Sequence, residues 1–235
     1  MPAATIRRQP RTATVSRLTP PDLKRAIFLD FESFKDGPPL LAGTLIDGVF
    51  KQIVLDERLR LAATCKGIPF RKLIDFVERL VEKAESEARN IVGFSTKERN
   101  DIRENSGHDV SSRYVNMLTL AKKWRKRFHG SRHEEVKRMR ERMRRRGQYI
   151  NGEGNRLTDF ANIIGFPPSR CYGHGHEASR LRYVIGQLMR RGRYEALTPV
   201  AKAKWTKALK HNDYDVRALE ILSKCVANDL ATIVA

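Results

Sequence analysis

Ala26-Ile27-Phe28-Leu29-Asp30-Phe31-Glu32 is the stretch on which the reading of this chain turns. It is apolar enough to be a buried strand, yet it carries two carboxylates two positions apart. Side chains alternate between the faces of a strand, so Asp30 and Glu32 point the same way, with Phe28 or Phe31 beside them. Two like charges on one apolar face repel and lose hydration, which is costly unless something cationic binds between them. A divalent metal ion is the usual compensation. The plainer alternative is an edge strand with two solvated acids.

The composition bears on the partner. Lys and Arg number 46 against 27 Asp and Glu, a formal net charge of +19. Such an excess implies a polyanion, nucleic acid first and an anionic membrane surface second. A metal-binding acid pair in so basic a chain points to a metal-dependent nuclease. With 235 residues and 40% hydrophobic content, the chain can bury one substantial domain with tails, or at most two small ones. No run approaches the length of a transmembrane helix, so no membrane span is expected. Cys65, Cys171 and Cys225 form no C-x-x-C pair, the pattern of a reduced, cytoplasmic setting without a structural zinc site. Residues 1–25 are rich in Arg, Thr and Pro and have no acid before Asp22. They are expected to form a disordered basic arm, although the same composition suits an organellar transit peptide.

Outward from the first strand, Lys35-Asp36-Gly37-Pro38-Pro39 signals a turn, and Leu40 to Ile46 reads as a second strand. Asp47-Gly48 is a hairpin dipeptide leading into a third, Val49 to Leu55. Phe70 to Arg89 has apolar residues at helical spacing, and Ile91-Val92-Gly93-Phe94 is a short, fully apolar interior strand. A meander, a crossover helix and a returning central strand predict an α/β domain with a mixed sheet over residues 26–235.

Ser95 starts another helix, and Tyr114 to Trp124 is either a strand leading into a helix or helix throughout. Lys122 to Arg146 is strongly basic and opens a helical insert over about 122–155. Leu157 to Gly165, Glu177 to Arg191 and Ala201 to Ala231 read as helices, the last with at most one break near His211 to Asp213. The basic stretch places Lys122, Lys123, Arg125, Lys126, Arg127, Arg144, Arg145 and Arg146 beside Trp124 and Phe128. Phosphate contacts with aromatic stacking are how single strands are held without sequence preference; the alternative is a solvated helix. Cys171, His174 and His176 superficially resemble a metal cluster, but their spacing matches no standard zinc arrangement and a Gly-rich loop is the better reading.

His211-Asn212-Asp213-Tyr214-Asp215 completes the candidate chemistry. On a helix His211 and Asp215 share a face. A carboxylate that anchors an ion beside an imidazole that takes a proton is a sensible hydrolytic pair. The structural alternative is a helix cap, with Asn212 or Asp213 at the N-cap and His211 solvated.

In order, these pieces are a strand with D-x-E, a hairpin, a helix, Ile91 to Glu98, Leu157 to Gly165, and His211-Asn212-x-x-Asp215. Over about Ala26 to Leu222 the chain resembles the ribonuclease H-like DEDD exonuclease superfamily, in particular bacterial predicted exonucleases. The resemblance implies a two-metal-ion hydrolase using Mg²⁺ or Mn²⁺, acting 3′ to 5′ on single-stranded DNA or RNA. Carried over by position, Asp30, Glu32 and Asp215 are metal ligands. The remaining acid is Glu98 or Asp101, although Ser95-Thr96-Lys97-Glu98 is also a capping box. His211 stands at the spacing where relatives place a tyrosine, four before the final aspartate, and takes the role of proton acceptor. The alternative from another class is an inactive nucleic-acid-binding module on the same fold.

Overall fold

The computed structural model describes residues 18–35, 37–148, 154–167 and 176–232. A five-stranded mixed sheet flanked by helices forms an α/β fold. A short helix α1 (Pro20–Lys24) precedes strand β1 (Ile27–Ser33), which is followed by β2 (Pro39–Ile46) and β3 (Val49–Val54). Asp47 and Gly48 both take positive φ, 52° and 78°, which is what a two-residue turn matched to strand twist requires. Helices α2 (Arg60–Thr64) and α3 (Leu73–Ser86) lead to β4 (Ile91–Gly93), α4 (Lys97–Ser106) and β5 (Tyr114–Asn116). The remainder is helical: α5 (Met117–Phe128), α6 (Gly130–Arg145), α7 (Leu157–Ile163), α8 (Glu177–Arg191) and α9 (Pro199–Ala231).

The sheet order is β3-β2-β1-β4-β5. β1 therefore lies at the centre, antiparallel to β2 and parallel to β4, so the edge-strand alternative for the D-x-E run does not hold. Alternation along β1 divides its side chains cleanly. Ile27, Leu29 and Phe31 pack toward α3 with Phe76, Val77 and Leu80, while Phe28 packs on the other face with Val216, Leu219 and Trp124. Asp30 and Glu32 continue the Phe28 face, under α9.

Several expectations are corrected. Of the proposed arm, residues 1–17 lie outside the described residues, and its end is ordered: Thr19 caps α1 in a capping box with Asp22, and Leu18 is buried in the core. The basic insert does not begin at Lys122, because α5 is an amphipathic core helix burying Met117, Leu120, Ala121 and Trp124. Tyr114 to Trp124 resolves as strand then helix. Helix α9 runs unbroken through His211 to Asp213, so neither Asn212 nor Asp213 is an N-cap. Cys171 and His174 lie outside the described residues. No helix among the described residues is long and apolar enough to cross a membrane.

Candidate active site

α9 crosses the sheet over β1, and it does so at a glycine. Gly43 on β2 is the register partner of Asp30. A methyl group there would collide with the Asn212 side chain and stand 2.8 Å from Val216 Cγ2. The missing side chain lets α9 sit directly on the strand pair. Asn212, fully buried, fastens the helix: its Nδ2 donates to Asp30 Oδ2 at 2.8 Å, and its Oδ1 accepts from Gln52 Nε2 at 3.1 Å. Buried polar groups that pair this way fix register as well as distance.

With α9 held there, His211 and Asp215, one turn apart, meet Glu32. One ligand atom from each of Glu32, His211 and Asp215 lies within 4.8 Å of the others. His211 Nε2 is 3.2 Å from Asp215 Oδ2 and 3.2 Å from Glu177 Oε1. Glu177, in the first turn of α8, is thus a further acid of the site. Its sequence context marks it only as a helix start, since nothing local ties it to residues on α9.

Burial and mutual repulsion act on the acids together. Burial, then the charges of Asp215 and Glu98, push the Asp30 carboxyl well above the ordinary carboxylate range; the Asn212 bond and His211 oppose this without cancelling it. Burial and the charges of Asp30, Asp215 and Glu177 do the same to Glu32, with Lys97 opposing. Burial also raises Glu98, against hydrogen bonds from Tyr114 and Ser95. For His211, burial works to lower the pKa, but the bond to Asp215 and the charges of Asp215, Glu177 and Asp30 outweigh it and raise it above the usual imidazole value.

Glu98, not Asp101, is the acid that joins the cluster. Glu98 is buried and bears electrostatically on Asp30, whereas Asp101 points to Lys97, 2.5 Å away. Glu98 serves its helix as well. Its Oε2 accepts from the Ser95 amide at 3.3 Å, and Ser95 Oγ accepts from the Lys97 amide at 3.0 Å. The Tyr114 hydroxyl, from β5, donates to the same Oε2 at 3.0 Å. Tyr114 reaches it across Gly93, where a methyl group would collide with the phenol. The capping box expected on Ser95 does not form, since the N-cap of α4 is Thr96 and it makes no side-chain cap hydrogen bond; Glu98 is held instead by the Ser95 amide and Tyr114.

Whether this donor set fits a divalent cation can be judged from its unmet acceptors. Glu32 Oε1 and Asp215 Oδ1 are buried and accept no hydrogen bond among the described residues. Two buried carboxylate oxygens without donors, beside the acids Asp30 and Glu98, form a centre short of positive charge. The oxygen-rich set is of the kind that Mg²⁺ and Mn²⁺ prefer, and the residues fit such an ion.

The basic stretch is arranged differently from expectation. Trp124 is 2% exposed and donates from Nε1 to Asp229 Oδ2 at 2.6 Å, so it is not a stacking platform. Arg125 is also buried, donating to the Gly154 carbonyl and to Asn155 Oδ1, and lying over the Phe160 ring. Lys122, Lys123, Lys126, Arg127, Arg144, Arg145 and Arg146 are exposed, as phosphate contacts need. No family model, curated protein or solved structure matches the chain.

Proposed function

We propose that the chain is a metal-dependent nuclease of ribonuclease H-like fold that hydrolyses phosphodiester bonds in nucleic acid. The observation that carries this reading is the meeting of Glu32 with His211 and Asp215 within 4.8 Å, with Asp30 on the same strand face and within electrostatic reach of Asp215 and Glu98. The five-stranded mixed sheet is compatible with the fold, and the +19 net charge suits a polyanionic substrate.

Asp30, Glu32, Glu98 and Asp215 would hold Mg²⁺ or Mn²⁺, two ions by the resemblance. Such ions, when bound, polarise phosphoryl oxygens and lower the pKa of water. The chain's own residues do the rest. Asn212, itself held by Gln52, fixes the Asp30 carboxylate against α9, and Tyr114 orients Glu98. His211 lies in the acid cluster, and its neutral form is the candidate acceptor for a proton from an attacking water. Asp215 and Glu177, each 3.2 Å away, stabilise the imidazolium that results. Action from the 3′ end on single strands rests on the resemblance alone.

One observation favours a second reading, a nucleic-acid-binding module without catalysis. Glu98 Oε2 already accepts from Tyr114 and Ser95, so a purely structural acid would look the same. The test is degradation of 3′- and 5′-labelled single-stranded DNA and RNA with Mn²⁺, wild type beside Asp30→Asn, Asp215→Asn and His211→Gln. Cleavage abolished by the first two and reduced about 10²–10⁴-fold by the third supports the nuclease reading. An inert wild type that binds either strand supports the module, and cleavage surviving both aspartate substitutions refutes the assigned site.

A further inference from the structure

Helices α5 and α6 fold back on each other through Phe128, His129 and Gly130 and leave a cleft of about 510 Å³ between them. The cleft face of α6 recurs at helical spacing: His133, Lys137, Arg140 and Arg144. From α5 come Lys122 and Arg125. Among the described residues that line the cleft, the one acid is Glu141. Several cations of α6 pair with acids on the same helix: Arg132 with Glu135 at 2.6 Å, Arg145 with Glu141 at 2.5 Å, and Lys137 of the cleft with Glu134 at 3.6 Å. Lys122 and Arg144, in contrast, pair with no acid among the described residues.

The cleft has a built floor. Arg125 is 3% exposed and is clamped to Gly154 and Asn155, and Gly154 lies so close to Val136 that a methyl group would stand 2.6 Å from Val136 Cγ1. Two nitrogens of this floor, Arg125 Nε and His133 Nδ1, are buried without a hydrogen-bond partner. Burial and the charges of Arg140 and Arg125 depress the Lys122 ammonium. Closely spaced cations above two buried nitrogens without partners suit an anion.

We propose that this cleft is a phosphate-binding site that holds the backbone of a nucleic-acid strand at a distance from the acid cluster. The proposal rests on the substrate class proposed for that cluster, but not on catalysis there. Position supports a strand over a small anion. Trp124, adjacent to Arg125, is tied to Asp229, fourteen residues beyond Asp215 on the continuous α9. At 1.5 Å per residue that is about 21 Å along the helix, a span of several nucleotides rather than of one small anion. Among the described residues that line it there is no Phe, Tyr or Trp, and the cations there suit contact with the backbone.

The test is fluorescence anisotropy with labelled single-stranded DNA and RNA about 24 nucleotides long, in EDTA, across a KCl series spanning about 50–200 mM. Lys122→Ala/Arg144→Ala is compared with Arg138→Ala/Arg142→Ala, which removes the same charge from the other face of α6; circular dichroism confirms that each variant is folded. The cleft variant should bind about tenfold more weakly than wild type and lower the salt slope by about 1.4, two phosphates at about 0.7 each. The other-face variant should change less. Equal weakening by both variants overturns the proposal, because net charge would then suffice. A polyglutamate of matched charge that competes as well as the strand also overturns it, in favour of an acidic protein. Expected binding without any cleavage would refute the nuclease reading and leave the cleft standing; cleavage with unaltered binding by the cleft variant would do the reverse.

Discussion

Replacing Asp30 by asparagine should make the metal-free protein more stable. Asp30 and Glu32 both have carboxyl pKa values well above their unfolded values of 3.8 and 4.5. A carboxyl whose folded pKa is raised adds stability that is fully present below the unfolded pKa and is lost as pH climbs through the folded one. At neutral pH the metal-free fold therefore bears part or all of that loss. Asp30→Asn removes one of the repelling charges and keeps an oxygen to accept the Asn212 amide, 2.8 Å away. Relief of an uncompensated buried group is worth about 1–3 kcal/mol, and half-burial of the Asp30 residue places it toward the lower end. In a chain of this size each kcal/mol moves Tm by about 2–4 °C, so the substitution should raise Tm by about 2–6 °C.

The same substitution should remove most of the response to cations. A divalent ion at a hundred times its Kd adds about 2.7 kcal/mol, or about 5–11 °C for wild type. Differential scanning fluorimetry in EDTA and in Mn²⁺, at several pH values from about 5 to about 8, reads both effects. Wild type in EDTA should gain stability as pH falls through that range, narrowing the gap to the variant. An Asp30→Asn protein less stable than wild type in EDTA, together with an unchanged Mn²⁺ shift, would refute the reasoning: the acids would then be satisfied already.

Three other substitutions probe the scaffold. Gly43→Ala forces α9 away from β1 at Asn212 and Val216 and should cost about 1–3 kcal/mol in urea unfolding, with cleavage falling further than stability explains. Tyr114→Phe removes the hydroxyl bonded to Glu98 and should cost about 1 kcal/mol; it should weaken Mn²⁺ affinity measured by titration calorimetry, where an unchanged affinity would restrict Tyr114 to packing. Trp124→Ala should cost about 3–5 kcal/mol, seen as a collapse of Tm, because the indole is core and not a base-stacking surface.

Local periodicity made part of this molecule legible in its sequence. The D-x-E alternation, the Asp47-Gly48 turn and the stripe of α3 each need only a few neighbouring residues, and each formed as expected. Glu98 was the favoured candidate over Asp101, one helical turn away, and the fold shows that it is Glu98 whose charge bears on Asp30. Glu177 and Tyr114 left no local signal, because their roles depend on which elements become neighbours. Trp124 misled for the opposite reason. A tryptophan in a run of lysines and arginines looks like a nucleic-acid contact, but a helix with one buried face can hide its aromatic ring while its charges remain in water. The glycines at positions 43 and 93 show the same limit: each is defined by a side chain arriving from far along the chain.

The distribution of charge ties these pieces together. A cluster of raised carboxyls repels a phosphodiester as strongly as it attracts a cation, so an acidic centre cannot by itself gather a polyanion. Lys97 supplies positive charge that reaches Glu32, while Lys122, Arg125 and Arg144 carry theirs in a separate cleft. Since exposed charges more than about 10 Å apart are screened at about 0.1 M salt, a cleft roughly 20 Å away by helix length cannot neutralise the acids. On the proposed function, its part is to hold the strand, separate from any chemistry at the acids. Separate sites of opposite sign then have separable consequences: charge lost from the cleft should weaken strand binding, whereas charge lost from the acid cluster should weaken cation binding and leave the grip on the backbone intact.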